Sequence, residues 1–476
     1  MRILCGTILA AAVFAVLRAE AFSRAVAPRN GTVTSVSDAL QGAIDDCAAA
    51  GGGRVTVTSG RYRTRQLELR SGVELHLEKG AVLEGLPGIE NYRRVELPYS
   101  EGAWMATVMC IGATNVAITG DGEIYGNGFA WPIYTKHQKD KDGITVMHEG
   151  LRPRGVVFAD CKGVRVEGVR LTDLPCWGLV FKRCEDVVVR GITIDSFANA
   201  NSDGVDIEAR NFTMTDCEIN SGDDSVVFKS NDPDFVMENV YVSNVVGRTH
   251  CYNFKLGTAS HGTMRNFLIT DCRAEGPRRH NIDRRNGREE IWYKGNDAFP
   301  GATKETPGVS ISSSAIAVEC VDGGCVENIV FRNMTLEGSC APIFVRGGYR
   351  TGRACGIPPS DKCILRNVLI ENVQGWAEST TASSITGTKK CRVDGVTLRN
   401  VHIVTKGAGD ASREMATPVP EHEGKYPNSS MFDNRILPAY GLYIRHADRV
   451  SLENTTFTLY PGHGDTRPAV LRDDAP

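Results

Sequence analysis

The chain alternates apolar and polar positions in short runs that return at a nearly constant interval. The segments Val164–Leu171, Val187–Ile194, Phe212–Ile219, Phe235–Val242 and Gly262–Ile269 are versions of one unit, and their last residues step by 23, 25, 23 and 27 positions. The unit returns in Val326–Phe331, Leu365–Ile370, Val393–Leu398 and Val450–Phe457. Each run is rich in β-branched residues, and most place Asn or Gly where a turn is needed. A strand period just above twenty residues, without helical segments in between, predicts a solenoid, because one unit cannot bury its apolar face unless it stacks on its neighbours. A leucine-rich repeat would show its Leu/Asn consensus, and a propeller blade would recur nearer forty residues. The expected fold is therefore all-β, a right-handed single-stranded parallel β-helix. The segment Val36–Ala50, apolar at Ala39, Leu40, Ala43, Ile44 and Cys47 and stopped by Gly51-Gly52-Gly53, is its expected N-terminal capping helix.

Residues outside the repeat change the picture in three places. The apolar run Ile3–Leu17 after Arg2, followed by Ala19-Glu20-Ala21, predicts a signal peptide over residues 1–21, hence a secreted or periplasmic protein. Residues 22–476 are then expected to form one β-helix domain, with no further stretch long enough to span a bilayer. Between Gly276 and Ser312 the repeat is interrupted by an insertion that carries Arg278, Arg279, Arg284, Arg285, Arg288 and Lys294 together with Trp292 and Tyr293. It reads either as a lid supplying cations or as a solvated loop. The formal net charge of −3 excludes a generally basic binder of nucleic acid, so an anionic ligand would have to be met by local cations. Of 15 cysteines, Cys5 would leave with the signal peptide. The rest fit an exported protein with some disulfides, and Cys161, Cys184, Cys217 and Cys272 share one phase of the repeat, as either stacked thiols or bridges would. No Cys/His spacing suggests zinc, and no metal is expected.

The candidate chemistry lies between Ala200 and Ser230. There Asp203 precedes the adjacent pair Asp223 and Asp224 by 20 and 21 residues, in the turns Asn201-Ser202-Asp203-Gly204 and Ser221-Gly222-Asp223-Asp224-Ser225. That separation is close to one coil, so the turns should stack about 4.8 Å apart. Hydrolysis of a glycosidic bond needs an acid for the leaving oxygen and a base for water, roughly 6.5–9.5 Å apart in inverting enzymes and about 5 Å in retaining ones. Crowded carboxylates also force one of their number to keep its proton. Asx-turn hydrogen bonding and a calcium site are the competing uses of the same residues.

At these residues the chain resembles glycoside hydrolase family 28, the polygalacturonase-like pectin hydrolases, and within it the bacterial-type members. The family carries Asn-Thr-Asp, then Gly-Asp-Asp about one coil later, then Gly-His-Gly and Arg-Ile-Lys. Asn201-Ser202-Asp203 and Gly222-Asp223-Asp224 match the first two, and Gly72–Leu83, Gly120–Gly126 and Leu174–Trp177 also look like that family. The resemblance implies a saccharide polymer or oligomer as substrate, no cofactor, Asp223 as general acid, Asp203 and Asp224 activating water, and an inverted product. His250 stands where the family histidine is expected but lacks flanking glycines, and His261 in Ser260-His261-Gly262 competes for the role. Ile343-Phe344-Val345-Arg346 stands for the cation motif and keeps one cation, Arg346. Asn201, Lys229 and Lys255, in or beyond the catalytic turns, complete the candidate substrate contacts. The expected function is inverting hydrolysis of a pectic or related acidic polysaccharide by a monomer, at chain ends if the insertion walls the groove. A calcium-dependent lyase and a non-catalytic carbohydrate-binding scaffold on the same fold are the alternatives.

Overall fold

The structure, a computed structural model, describes residues 22–27, 33–100, 104–131, 152–278, 281–283, 290–292, 311–351, 355–429, 431–433 and 436–476. The expected signal peptide and most of the 276–312 insertion lie outside the described residues. The repeats form the expected right-handed parallel β-helix, with 31 strands among the described residues in one continuous hydrogen-bonded system. Its first coil is covered by the helix Val33–Ala49, whose Leu40, Ala43, Ile44 and Cys47 are buried and whose end is marked by Gly51 and Gly52 at positive φ. No helix among the described residues is long and apolar enough to cross a membrane.

Each coil contributes to three faces, and one of them carries the candidate site. Its ladder runs in parallel register through Val156, Leu179, Val205, Val226, Phe254, Ile316 and Ile343. These residues point inward, as alternation requires, so Val180, Asp206, Val227, Lys255, Ala317 and Phe344 point outward from successive strands. The register steps are 23, 26, 21 and 28 residues until Phe254, then 62 to Ile316, then 27 to Ile343. The 62-residue step contains the insertion. The ladder continues across it, with Tyr252–Leu256 paired to Ser314–Val318 on the next coil.

Side-chain stacks hold the coils together. Phe158, Phe181, Phe212, Phe228 and Phe267 form a continuous aromatic column in the core, with centroid separations of 5.0 to 6.3 Å. At an exposed corner Asn333, Asn372, Asn400 and Asn454 stack with amide hydrogen bonds of 2.9 to 3.1 Å, all at positive φ, a conformation that Asn tolerates better than other residues with a Cβ. The described cysteines are all thiols. Cys161, Cys184, Cys217 and Cys272 are buried, and Cys161 Sγ sits 3.7 Å from Cys110 Sγ, so stacked thiols rather than bridges account for their shared phase. They pack as small hydrophobes.

Phe228 lies in the strand that begins two residues after Asp224 and touches both Phe212 and Phe267. Phe228→Ala should cost about 3–5 kcal/mol of stability, read as a lower urea midpoint. A shift below about 1 kcal/mol would mean that the column does not support the coils.

Candidate active site

The acidic turns sit side by side where successive coils enter the outer face. Gly178 N–H donates to the Asp203 carbonyl, Gly204 N–H to the Asp224 carbonyl and Ser225 N–H to the Tyr252 carbonyl, each at 2.8 Å. The approach leaves no room at Gly204, where a Cβ would lie 2.2 Å from Ile219 Cγ2 and 2.5 Å from the Ser225 carbonyl. The Ser221 hydroxyl donates to the Asp223 and Asp224 carbonyls at 2.9 and 3.3 Å, and Thr249 Oγ1 also donates to the Asp223 carbonyl. The Asp223 carboxylate accepts the Asp224 N–H at 3.0 Å. Asp203, Asp223 and Asp224 are all buried.

Two lysines from the outer face run in among these acids. Lys229 Nζ is 3.0 Å from Asp203 Oδ2 and 2.5 Å from Asp206 Oδ1, and lies over the Trp177 ring at 3.8 Å. Lys255 Nζ is 3.2 Å from Asp224 Oδ2 and 4.3 Å from the Tyr252 ring centre, while Tyr252 N–H reaches Asp224 Oδ1 at 3.3 Å. Burial alone would lower the Lys255 pKa, but Asp224 and Glu319 outweigh it and hold the ammonium well above its ordinary value. Asn201 is fixed from behind by Arg152, which donates to its Oδ1 at 3.1 Å and to the carbonyls of Pro175 and Ala200.

His250 is buried beside the acids. Thr249 pairs with Ser221 across the coils, which puts His250 next to the Gly222-Asp223 turn, its ring edge-on to Phe197 at 6.3 Å. His261 lies at the other end of its strand, 3.8 Å from Asp322, with its pKa lowered by burial. Arg346 is not brought to the acids. It stands two coils beyond Lys255, buried, donating to the carbonyls of Gly387 and His422. Its neighbour Phe344 packs with Tyr443, Met431 and Phe432 in an apolar cluster over the outer face.

Asp206 and Glu319 belong to the site and had not been expected there. Asp206 alternates outward in Val205-Asp206-Ile207-Glu208, a signal present in the strand pattern. Burial pushes its carboxyl up to about 8, against the pull of Lys229 and with a further push from Asp203. Among the described residues one group could gather on a metal ion: donor atoms of Asp223, Asp224 and Cys251 within 4.8 Å of one another. A thiol whose pKa burial raises, beside a carboxylate already bound to Lys255, suits a hard, oxygen-seeking cation poorly.

Between an ordinary carboxyl value near 4 and about 8, folded Asp206 keeps a proton that the unfolded chain has released. Stability should therefore fall as pH rises through that window, by at most about 1.4 kcal/mol per pH unit for this group. Asp206→Asn should flatten the dependence of the urea midpoint between about pH 5 and pH 8; an unchanged slope would remove the assignment.

A profile of the family described as glycosyl hydrolases family 28 matches residues 47–271 and 302–422. A polygalacturonase of Juniperus ashei is 24% identical over 293 residues, covering 61% of this chain and 50% of its own length. Exopolygalacturonase B of Aspergillus niger is 25% identical over 313 residues, covering 63% of each. The chain thus spans half to under two thirds of these relatives. Among solved structures, a hyperthermoactive exopolygalacturonase from Thermotoga maritima superimposes with a TM-score of 0.59 at 20% identity, covering 81% of this chain and 87% of that one. The family 28 exopolygalacturonase of Yersinia enterocolitica gives 0.60 at 16% identity, covering 95% and 78%. These two likenesses support the fold.

Proposed function

The chain belongs to glycosyl hydrolases family 28, and from that premise we propose that it is an inverting glycoside hydrolase acting on a pectic or related polysaccharide. The observation that carries this reading is the stacking of Asp203 on the Asp223–Asp224 turn through the Gly204 N–H to Asp224 carbonyl bond of 2.8 Å. It puts three buried carboxylates from two coils in one place, with Lys229 from the second of those coils and Lys255 from the next to offset their charge. In this mechanism Asp223 gives its proton to the glycosidic oxygen as the bond to the anomeric carbon breaks. Asp203 and Asp224 take a proton from the water that attacks the opposite face, so the new C–O bond forms with inverted configuration. His250, beside the Asp223 turn, positions that acid. Asn201, Lys229 and Lys255 are the proposed substrate contacts; Arg346, held among carbonyls two coils away, is not one of them.

Two apolar clusters on the outer face favour action at a chain end. Trp104, Trp177 and Leu97 cover it on one side of the acids, and Phe344, Met431 and Phe432 on the other. A chain running along this face from either side would meet one of these clusters. A monomer exported from the cytoplasm completes the reading.

Asp223→Asn should lower kcat by about 10²–10⁴-fold on whichever pectic polymer the wild type cleaves, with little change in KM. Mass spectrometry of the wild-type products should show saturated sugars, and NMR of the first turnover should show inversion; a chelator should make no difference. Retention, an unsaturated product or a fully active Asn variant would each sink the proposal.

A further inference from the structure

Lys229 serves two acids at once, Asp203 and Asp206, and it comes from the coil after theirs. Leu179, Val205 and Val226 are register partners on three successive coils. Trp177 stands two residues before the first of these, Asp203 and Asp206 lie on either side of the second, and Lys229 follows the third. The lysine therefore reaches back across the coil of the two acids to a ring on the coil before it. Its ammonium lies 3.0 Å from Asp203 Oδ2, 2.5 Å from Asp206 Oδ1 and 3.8 Å from the centre of the Trp177 ring. A lysine stem is flexible, and its ammonium is a compact charge with no built-in direction. An aromatic face supplies the missing constraint, because its quadrupole attracts a cation and does so more strongly where water is excluded.

The indole is itself held firmly. Its carbonyl accepts the Gly155 N–H at 2.9 Å, and the next residue, Gly178, donates to the Asp203 carbonyl at 2.8 Å. Arg154 lies over the Trp177 ring at 4.6 Å and over the Trp104 ring at 4.1 Å, and the two indoles meet edge to face at 5.8 Å. Trp104 comes from the segment that covers the face on that side, where Val95 and Trp104 exchange backbone hydrogen bonds of 2.8 and 2.7 Å. Trp104, Arg154 and Trp177 are all buried. A packed stack thus runs from that cover to the ammonium between the acids.

We propose that Trp177 is a positioning residue for the hydrolysis: its ring holds the Lys229 ammonium between Asp203 and Asp206, and so supports Asp203 as the group that accepts a proton from water. The effect on rate rests on the hydrolase reading, in which Asp203 is a base; the placing of the ammonium does not. Without the ring, the ammonium can swing toward solvent, since the Lys229 side chain is 13% exposed where that of Lys255 is 3% exposed. A carboxylate that loses a neighbouring cation holds its proton more tightly.

The test uses the folded enzyme with Trp177→Phe, with Trp177→Leu, and with the Trp177 ring fluorinated by site-specific incorporation. Fluorination keeps the shape of the indole and removes the negative charge of its face, so a role in packing alone would not register it. Trace acetylation with acetic anhydride, mapped by mass spectrometry, reads the accessibility of Lys229 against the exposed Lys162 and Lys390. Relative labelling of Lys229 should rise about fivefold on fluorination and in Trp177→Leu, and less in Trp177→Phe, which keeps an aromatic face. The pH dependence of kcat is followed on polygalacturonan or rhamnogalacturonan, whichever wild type cleaves faster. Fluorination should lower kcat by about fivefold and move its acid limb toward higher pH by roughly half a pH unit or more. Labelling of Lys229 that fluorination leaves unchanged overturns the inference, as does faster labelling with the acid limb unmoved. If wild type cleaves neither polymer, the hydrolase reading suffers, and the labelling decides the place of Trp177 by itself.

Discussion

The backbone hydrogen bonds that join one coil to the next at the entrance to the outer face are the constraint on which the site depends. Gly178 to Asp203, Gly204 to Asp224 and Ser225 to Tyr252 form one line, each bond 2.8 Å long. They set the acidic turns one strand spacing apart and fix the phase of the strands that leave them. With a side-chain period of two, slipping a coil by one residue would turn Asp206 and Lys255 into the core and Val205 and Phe254 out of it. The aromatic column beneath resists that slip. Catalytic geometry and core packing are thus two faces of the same strands.

Gathering acids in a buried place is costly unless cations come with them. Here the offset is local and specific. Lys229 serves Asp203 and Asp206 together, and Lys255 serves Asp224. A lysine suits both positions because its ammonium is a compact charge that can lie between oxygens from different coils, where a planar guanidinium would favour one carboxylate. The arrangement has a consequence for the ligand. Cations that hold the acids would share their charge between those acids and any ligand they contact.

Much of this was legible in the sequence because the fold repeats. The period of the β-branched runs reports the coil length, and the 20- and 21-residue spacings of Asp203 to Asp223 and Asp224 report that they stack. The capping helix was equally plain, since Leu40, Ala43, Ile44 and Cys47 fall on one helical face. Less legible were residues whose role depends on which coil lies next to which. Asp206 could have been found from alternation alone. Glu319 could not, because 62 residues separate Phe254 from its partner Ile316 and only the ladder shows them as neighbours. Arg346 entered the candidate site through its match to the family cation motif, and the ladder puts it two coils beyond Lys255. The thiols show a further limit: a shared phase in a solenoid brings sulfurs close without bonding them, and the spacing of cysteines does not distinguish the two.

Such a rigid scaffold tolerates long insertions between its coils. Closing a long loop costs little more than closing a short one, since the entropic cost grows only with the logarithm of length. An insertion at a corner therefore leaves the coil ladder intact, as the unbroken pairing of Tyr252–Ser260 with Ser314–Cys320 shows. The described residues of the segment 417–440 are an example. They cross the outer face and are tied down at Glu421, which is bound by Arg445 and lies 2.9 Å from His446 Nε2. The other nitrogen of His446 lies 2.6 Å from Asp474, in the last coil. Tyr426, five residues beyond Glu421, is thus positioned by the C-terminal coil, while the acids it faces are positioned by coils in the middle of the chain. In the proposed reading the chemistry resides in the turns that the ladder holds, with the excursion laid over them.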